Sequence, residues 1–189
     1  LSLHDALPIL IVCEVDPIRA NEALMEGYEV MPLIEAAEKG DYFITVTGNF
    51  GVIRREHFLR MKNGAVLANS GHFDVEISKP DLESLTVEKT LVKPNIEEYR
   101  LENGNSVYLL GEGRLVNLAA GDGHPVEIMD MSFGLQALCA EYLTKNSLPL
   151  GVHPVPLEID HRVATLRLNA LGVRIDSIDP QQKEYMNSW

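Results

Sequence analysis

Between Leu10 and Asp74, short apolar runs alternate with helix-like segments, and that alternation leaves few folds open. Leu10–Cys13 is apolar and is followed by Glu14. Asp16 then offers a helix cap with Pro17 at the first helical position, and the pattern runs to about Glu26. Glu29-Val30-Met31-Pro32 is strand-like, and Leu33–Lys39 is a helix stopped at Gly40. Tyr42–Val46 is a strand leading into Thr47-Gly48-Asn49, and Val52–Lys62 is a helix ended by Asn63-Gly64. Ala65–Ala68 is a strand leading into Asn69-Ser70-Gly71-His72-Phe73-Asp74. Such alternation predicts an α/β fold, a doubly wound parallel sheet with helices on both faces. Ligands of open sheets bind beyond the carboxyl ends of the strands, where Glu14, Thr47–Asn49 and Asn69–Asp74 all fall.

Beyond Asp74 the pattern changes. Thr86–Leu101 and Ser106–Leu110 are strand-like, joined by a hairpin turn at Glu102-Asn103-Gly104-Asn105. Gly111–Asn117 is a glycine-punctuated segment that can leave the sheet, and Ala119–Pro125 is a loop. Val126–Lys145 is a long helix, the stretch LPLGVHPVP is extended, Glu158–Leu171 is helical, and Asp179–Trp189 is a last short helix.

An acid at the end of a buried strand is how a dinucleotide-binding βαβ unit holds an adenosine ribose, and such an acid repels a 2′-phosphate. Glu14 therefore favours NAD over NADP, although a solvent-facing carboxylate explains the same residue. An acid of this kind follows a glycine-rich phosphate loop by about 20 residues, whereas the first glycine here is Gly27. The chain also begins LSLHDALPI, without Met. The string SLHDALPI reads as a translated sequencing adapter, so residues 1–9 are expected to be foreign. The remainder is expected to be the downstream part of a longer protein, with the phosphate loop and first strand upstream.

Charge and cysteine usage narrow the partners. The 189 residues carry a formal net charge of −12, which disfavours nucleic acid and anionic membranes. No apolar run reaches the roughly 18–20 residues of a membrane span. Cys13 and Cys139 read as buried thiols in a reducing, cytoplasmic setting, and no metal-ligand spacing exists among them and the six histidines.

Other candidate contacts cluster at the strand ends. Arg19 can lie near the ribose or face solvent. Thr47-Gly48-Asn49 supplies small polar groups, or is a plain strand-to-helix turn. His72 and Asp74 stand beside Gly71, which lets a backbone approach a ligand. Asn117 and His124 can contact a nicotinamide or a sugar, or cap the long helix. His57, His153 and His161 read as structural.

Four stretches carry a family resemblance: EVDPIRANEALMEGYEVMPLIEAA, DYFITVTGNFGVI, MKNGAVLANSGHFDVEI and LLGEGRLVNLAAGDGHPVEIMDMSF. Together they resemble the S-adenosyl-L-homocysteine hydrolase family, closest to its archaeal and thermophilic-bacterial branch. The resemblance implies a Rossmann-like fold and a tightly bound NAD used within one turnover. NAD oxidises the substrate's ribose 3′-hydroxyl; homocysteine is eliminated, water adds, and the ketone is reduced again. It implies cofactor contacts from Glu14, Arg19, Thr47, Asn49, Ser70, Gly71, His72, Asn117 and His124, and substrate contacts from Leu115, Leu118 and His124. His72 is the one candidate for proton chemistry, the family's main acid/base residues being expected upstream. It further implies residues 10–112 as a partial NAD-binding domain, 113–150 as a hinge and returning helix, and 151–189 as a C-terminal helical extension. The parent is expected to be a cytoplasmic homotetramer acting on S-adenosyl-L-homocysteine, adenosine and homocysteine, and the fragment alone inactive. An S-inosyl-L-homocysteine hydrolase and a non-catalytic NAD-binding regulatory paralogue are the alternatives.

Overall fold

A computed structural model describes residues 10–188. The segment 1–9, expected to be foreign, lies outside the described residues. The chain forms two compact units, one ending at Gly123 and the other starting at His124.

In the first unit, β1 (Ile11–Val12) pairs in parallel with β2 (Glu29–Val30). Helix α1 (Pro17–Met25) joins them. Asp16 caps it by accepting from the Ile18 amide at 2.8 Å, and Pro17 costs no hydrogen bond at the first position. Helix α2 (Leu33–Lys39) follows and leads to β3 (Tyr42–Thr45). Helix α3 (Arg55–Phe58) leads to β4 (Ala65–Asn69), and α4 (Lys79–Ser84) to β5 (Thr86–Lys93). Strands β6 (Ile96–Leu101) and β7 (Ser106–Leu110) complete a second sheet of order β3-β4-β7-β6-β5.

That sheet is mixed. β3, β4 and β7 run parallel, whereas β6 and β5 are added antiparallel. The doubly wound α/β reading holds for the parallel part, and the second half of the sheet is a meander. β4 is central and buried along almost its whole length, which explains its uninterrupted apolar run. Its Leu67 packs with Leu109, Val107, Phe58, Ile53, Ile77 and Leu82, each at most 1% exposed.

Three local readings are corrected. Thr86–Leu101 is two strands, not one, because Pro94-Asn95 turns the chain and Asn95 takes a left-handed φ of 62°. Helix formation within 52–62 is confined to Arg55–Phe58, because Ile53 pairs in parallel with Ile77 and is drawn into extended backbone. Helix α4 was not expected; Ser78 accepts from the Asp81 amide and Pro80 sits in the first turn. The thiol reading also changes, since Cys13 is exposed and Cys139 only half-buried. A two-residue β1 is too short to bury its carboxyl end.

His57 is a structural histidine. It is 6% exposed, and its Nδ1 accepts the Arg54 amide at 3.0 Å. Burial holds its pKa below the ordinary 6.5. The unfolded chain therefore binds this proton first. The contribution to stability is complete above the ordinary pKa and is lost as pH falls toward the folded one. Urea midpoints are expected to drop on acidification through that window, and to drop less in His57→Gln. Equal drops in both chains would remove His57 as the cause.

The second unit is helical: α6 (Val126–Lys145), α7 (Leu157–Ala170) and α8 (Pro180–Met186). Gly134 of α6 faces Val163 of α7, where a Cβ would make an ordinary 3.7 Å contact. Asp179 and Gln182 form a reciprocal capping box on α8.

Candidate functional site

Because β3, β4 and β7 are parallel and adjacent, their carboxyl ends open on one edge of the sheet. Three loops emerge there: Val46–Phe50, Ser70–Glu76 and Gly111–Leu115. Two buried polar side chains join them.

Asn69, fully buried at the end of β4, uses both ends of its amide. Its Oδ1 accepts from Thr45 Oγ1 at 3.1 Å and from the Gly71 amide at 2.7 Å. Its Nδ2 donates to the carbonyls of Phe73 at 2.8 Å and Gly113 at 2.9 Å. A parallel bridge from Asn69 to Leu115 and a 2.7 Å bond from the Ser70 amide to the Thr45 carbonyl tighten the join. Glu76, 1% exposed, accepts from the Thr47 amide, the Thr47 hydroxyl and the Gly48 amide at 3.0, 2.7 and 2.6 Å. Gly71 sits between the two, and a Cβ there would lie 2.6 Å from Glu76 Cδ and 3.1 Å from Asn69 Oδ1.

The expected site residues sort accordingly. Thr47, Asn49, Ser70, Gly71 and His72 are brought onto one edge, and Leu115 is tied to it through Asn69. The side chains of Thr47, Asn49, Ser70 and His72 stay exposed while Gly71 is buried. The His72 ring stands edge-on to Phe73, with centroids 4.3 Å apart. Asp74 turns away to pair with Lys79, which holds its carboxyl below the usual range. Leu115 and Asn117 flank the start of α5 (Val116–Ala119), while Leu118 is 63% exposed. Asn117 Oδ1 is buried with no hydrogen-bond partner among the described residues.

Glu14 and Arg19 lie on the β1–α1 pair. No hydrogen bond or ion pair among the described residues joins them to the three loops. The Glu14 carboxylate accepts from the Asp16 and Val15 amides, and those bonds hold its pKa below the ordinary range. It is thus an acceptor at neutral pH, as a ribose diol requires. His124 opens the second unit and is exposed. Asn69 was placed at the ligand-facing strand end but given no role of its own, and Glu76 was not expected as a site residue. Their signal was present: an amide closing an apolar run, and a carboxylate between Val75 and Ile77.

The buried, unmatched carbonyl oxygen of Asn117 calls for a donor such as a carboxamide NH₂. The exposed Thr47-Gly48-Asn49 loop and the Glu14 acceptor suit the other parts of a dinucleotide, so the residues present fit NAD, while the space at Gly71 is taken by Glu76 and not by a ligand. Polar loops at the carboxyl ends of parallel strands define a nucleotide-cofactor domain of the open α/β class. Residues 1–123 match the family described as S-adenosyl-L-homocysteine hydrolase, NAD binding domain. The chain belongs to that family, whose domain takes NAD.

Among similar proteins, adenosylhomocysteinase of Aquifex aeolicus is 58% identical over 183 residues, covering 96% of this chain and 44% of that protein. The adenosylhomocysteinase of Thermococcus kodakarensis is 58% identical over 182 residues, covering 95% and 43%. That of Thermosynechococcus vestitus is 55% identical, covering 95% and 42%. The chain therefore spans less than half the length of these relatives. Among the described residues, no helix is long and apolar enough to cross a membrane. No described cluster of His, Cys, Asp or Glu is placed to hold a metal ion.

Proposed function

We propose that this chain forms the NAD-holding part of an enzyme that hydrolyses S-adenosyl-L-homocysteine to adenosine and L-homocysteine. The observation that carries the reading is the buried Asn117 Oδ1, without a hydrogen-bond partner among the described residues, in a chain whose strand-end loops contain glycines and polar residues. When bound, NAD would supply reversible removal of hydride from C3′ of the substrate's ribose as the 3′-hydroxyl gives up its proton, and the resulting ketone acidifies the neighbouring C–H bond. The chain's own residues orient it. Asn117 accepts from the carboxamide, Glu14 accepts from the adenosine ribose hydroxyls with Arg19 nearby, and Thr47, Asn49, Ser70 and Gly71 line the path between. His72, exposed beside Phe73, can hold or move a proton at the reacting sugar. Leu115, Leu118 and His124 are the proposed substrate contacts, and His124 is also a proposed cofactor contact. The proposal includes a cytoplasmic homotetramer for the whole enzyme.

A chimera tests the reading: residues 10–189 replace the matching part of the Aquifex aeolicus relative, and thiol release from S-adenosyl-L-homocysteine is followed. NAD-dependent release is expected, falling at least about 10-fold in Glu14→Ala through weaker NAD binding, since one charge-assisted acceptor is lost. NADP is expected to bind more weakly than NAD, with the gap narrowing in the variant. A folded chimera that releases no thiol would sink the proposal.

A further inference from the structure

The cofactor loop is wired in an unusual direction. In an anion-binding loop, successive backbone N–H groups point outward at the ligand. Here the N–H groups of Thr47 and Gly48 both donate to Glu76, that of Asn49 to Thr47 Oγ1, and that of Phe50 to Asn49 Oδ1. The next three, from Gly51, Val52 and Ile53, donate to the carbonyls of Val75 and Glu76. Every backbone donor from Thr47 to Ile53 is thus consumed within the protein. A carboxylate sits directly beneath the first two.

We propose that Glu76 is a positioning residue that turns this loop's donors inward, so that Thr47–Phe50 receives an uncharged nucleoside part of NAD and rejects its pyrophosphate. The inference rests on the NAD reading and adds which chemistry this loop selects. Two arguments carry it. Burying a carboxylate without a cation is costly, and the three donors from Thr47 and Gly48 offset that cost only while the loop holds this one shape. Backbone carbonyls and the Asn49 side-chain amide are then what the loop shows to a ligand, above a buried carboxylate that no cation pairs among the described residues and that raises the energy of any phosphate there. Gly71 completes the device, because only a residue without a side chain leaves room for the Glu76 carboxylate.

The test compares the Aquifex aeolicus chimera carrying the unmodified residues 10–189 with the same chimera carrying Glu76→Gln, which keeps the size and loses one acceptor. Amide hydrogen exchange at Thr47 and Gly48, read by NMR, reports the positioning with no nucleotide present. NAD and inorganic pyrophosphate are then titrated separately. In the unmodified chimera both amides are expected to be protected, and pyrophosphate to leave the loop resonances unmoved. In Glu76→Gln the amides lose protection, NAD affinity falls about 10-fold, and pyrophosphate now shifts the loop. Unchanged protection in Glu76→Gln overturns the proposal. So does unchanged NAD affinity despite lost protection, which would make Glu76 structural only, and so does a pyrophosphate shift in the unmodified chimera. If Glu76→Gln does not fold, Thr47→Val decides, since it removes the hydroxyl that donates to Glu76 and accepts from the Asn49 amide while leaving the carboxylate in place. It should weaken NAD with Thr47→Ser restoring it, and equal affinities across the three chimeras overturn the proposal. An unmodified chimera with protected amides but no NAD affinity overturns the cofactor reading itself, a result distinct from each of these.

Discussion

Asn69→Leu should destabilise the first unit by about 3–5 kcal/mol in urea titration, the largest effect expected from a polar position in this chain. Leucine keeps the branching and heavy-atom count but is bulkier, so some overpacking adds to the loss of hydrogen bonds. Four partners are orphaned together: the Thr45 hydroxyl, the Gly71 amide and the carbonyls of Phe73 and Gly113. They lie in a region where Asn69 itself has no exposure, so water cannot simply replace it. Asn69→Asp separates the halves of the effect. It keeps the acceptor for Thr45 and Gly71 but sets a carboxylate oxygen against two carbonyls, and its stability should fall by a comparable amount. A loss below about 1 kcal/mol for Asn69→Leu would show that the three loops hold their places without this amide.

Gly71→Ala should cost about 2–3 kcal/mol, the upper part of the usual range for forcing a methyl into a packed interior, and should weaken NAD binding as well. The new Cβ meets the Glu76 carboxylate and the Asn69 amide oxygen. Neither can retreat, because each is held by protein donors. Glu76 is held by Thr47 and Gly48, and Asn69 by Thr45 and the Gly71 backbone itself. Gly64→Ala is the control: its φ of 89° makes alanine strained, but nothing stands near the new methyl. It should lose about 1–2 kcal/mol with NAD affinity intact. Equal NAD affinities for the two variants would mean that the Gly71 clash does not reach the loop.

Much of this was legible in sequence because strand and helix signals there are local. The Asp16-Pro17 cap, the Gly40 stop and the apolar Ala65–Ala68 run each act within a few residues, and each appears where expected. The family resemblance lay in short motifs and needed no tertiary information. What escaped was non-local. Nothing near Ile53 announces that it pairs with Ile77, so a stretch of mixed apolar and charged residues read as one helix over 52–62. Pro94-Asn95 is a turn signal overlooked inside a long β-prone run, and with it the antiparallel half of the sheet. Asn69 and Glu76 are polar residues whose importance depends on what surrounds them, and the partners Thr45, Gly113, Thr47 and Gly48 are distant along the chain. Position among neighbours, not residue type, made them organisers.

The mixed sheet also implies an order of assembly. β5, β6 and β7 are joined by tight turns, so their pairings close small loops early. β4 joins the far edge of β7 across some forty residues, and the Asn69 bond to Gly113 spans 44. The meander can therefore act as a template before the parallel strands dock. The strand-end loops, which need all three parallel strands in register, then close last. In that sequence the least local contacts are also the ones that hold the cofactor edge. A chain emerging from the ribosome cannot complete that edge until Gly113 is available, well after Thr47 and Ser70 have been made.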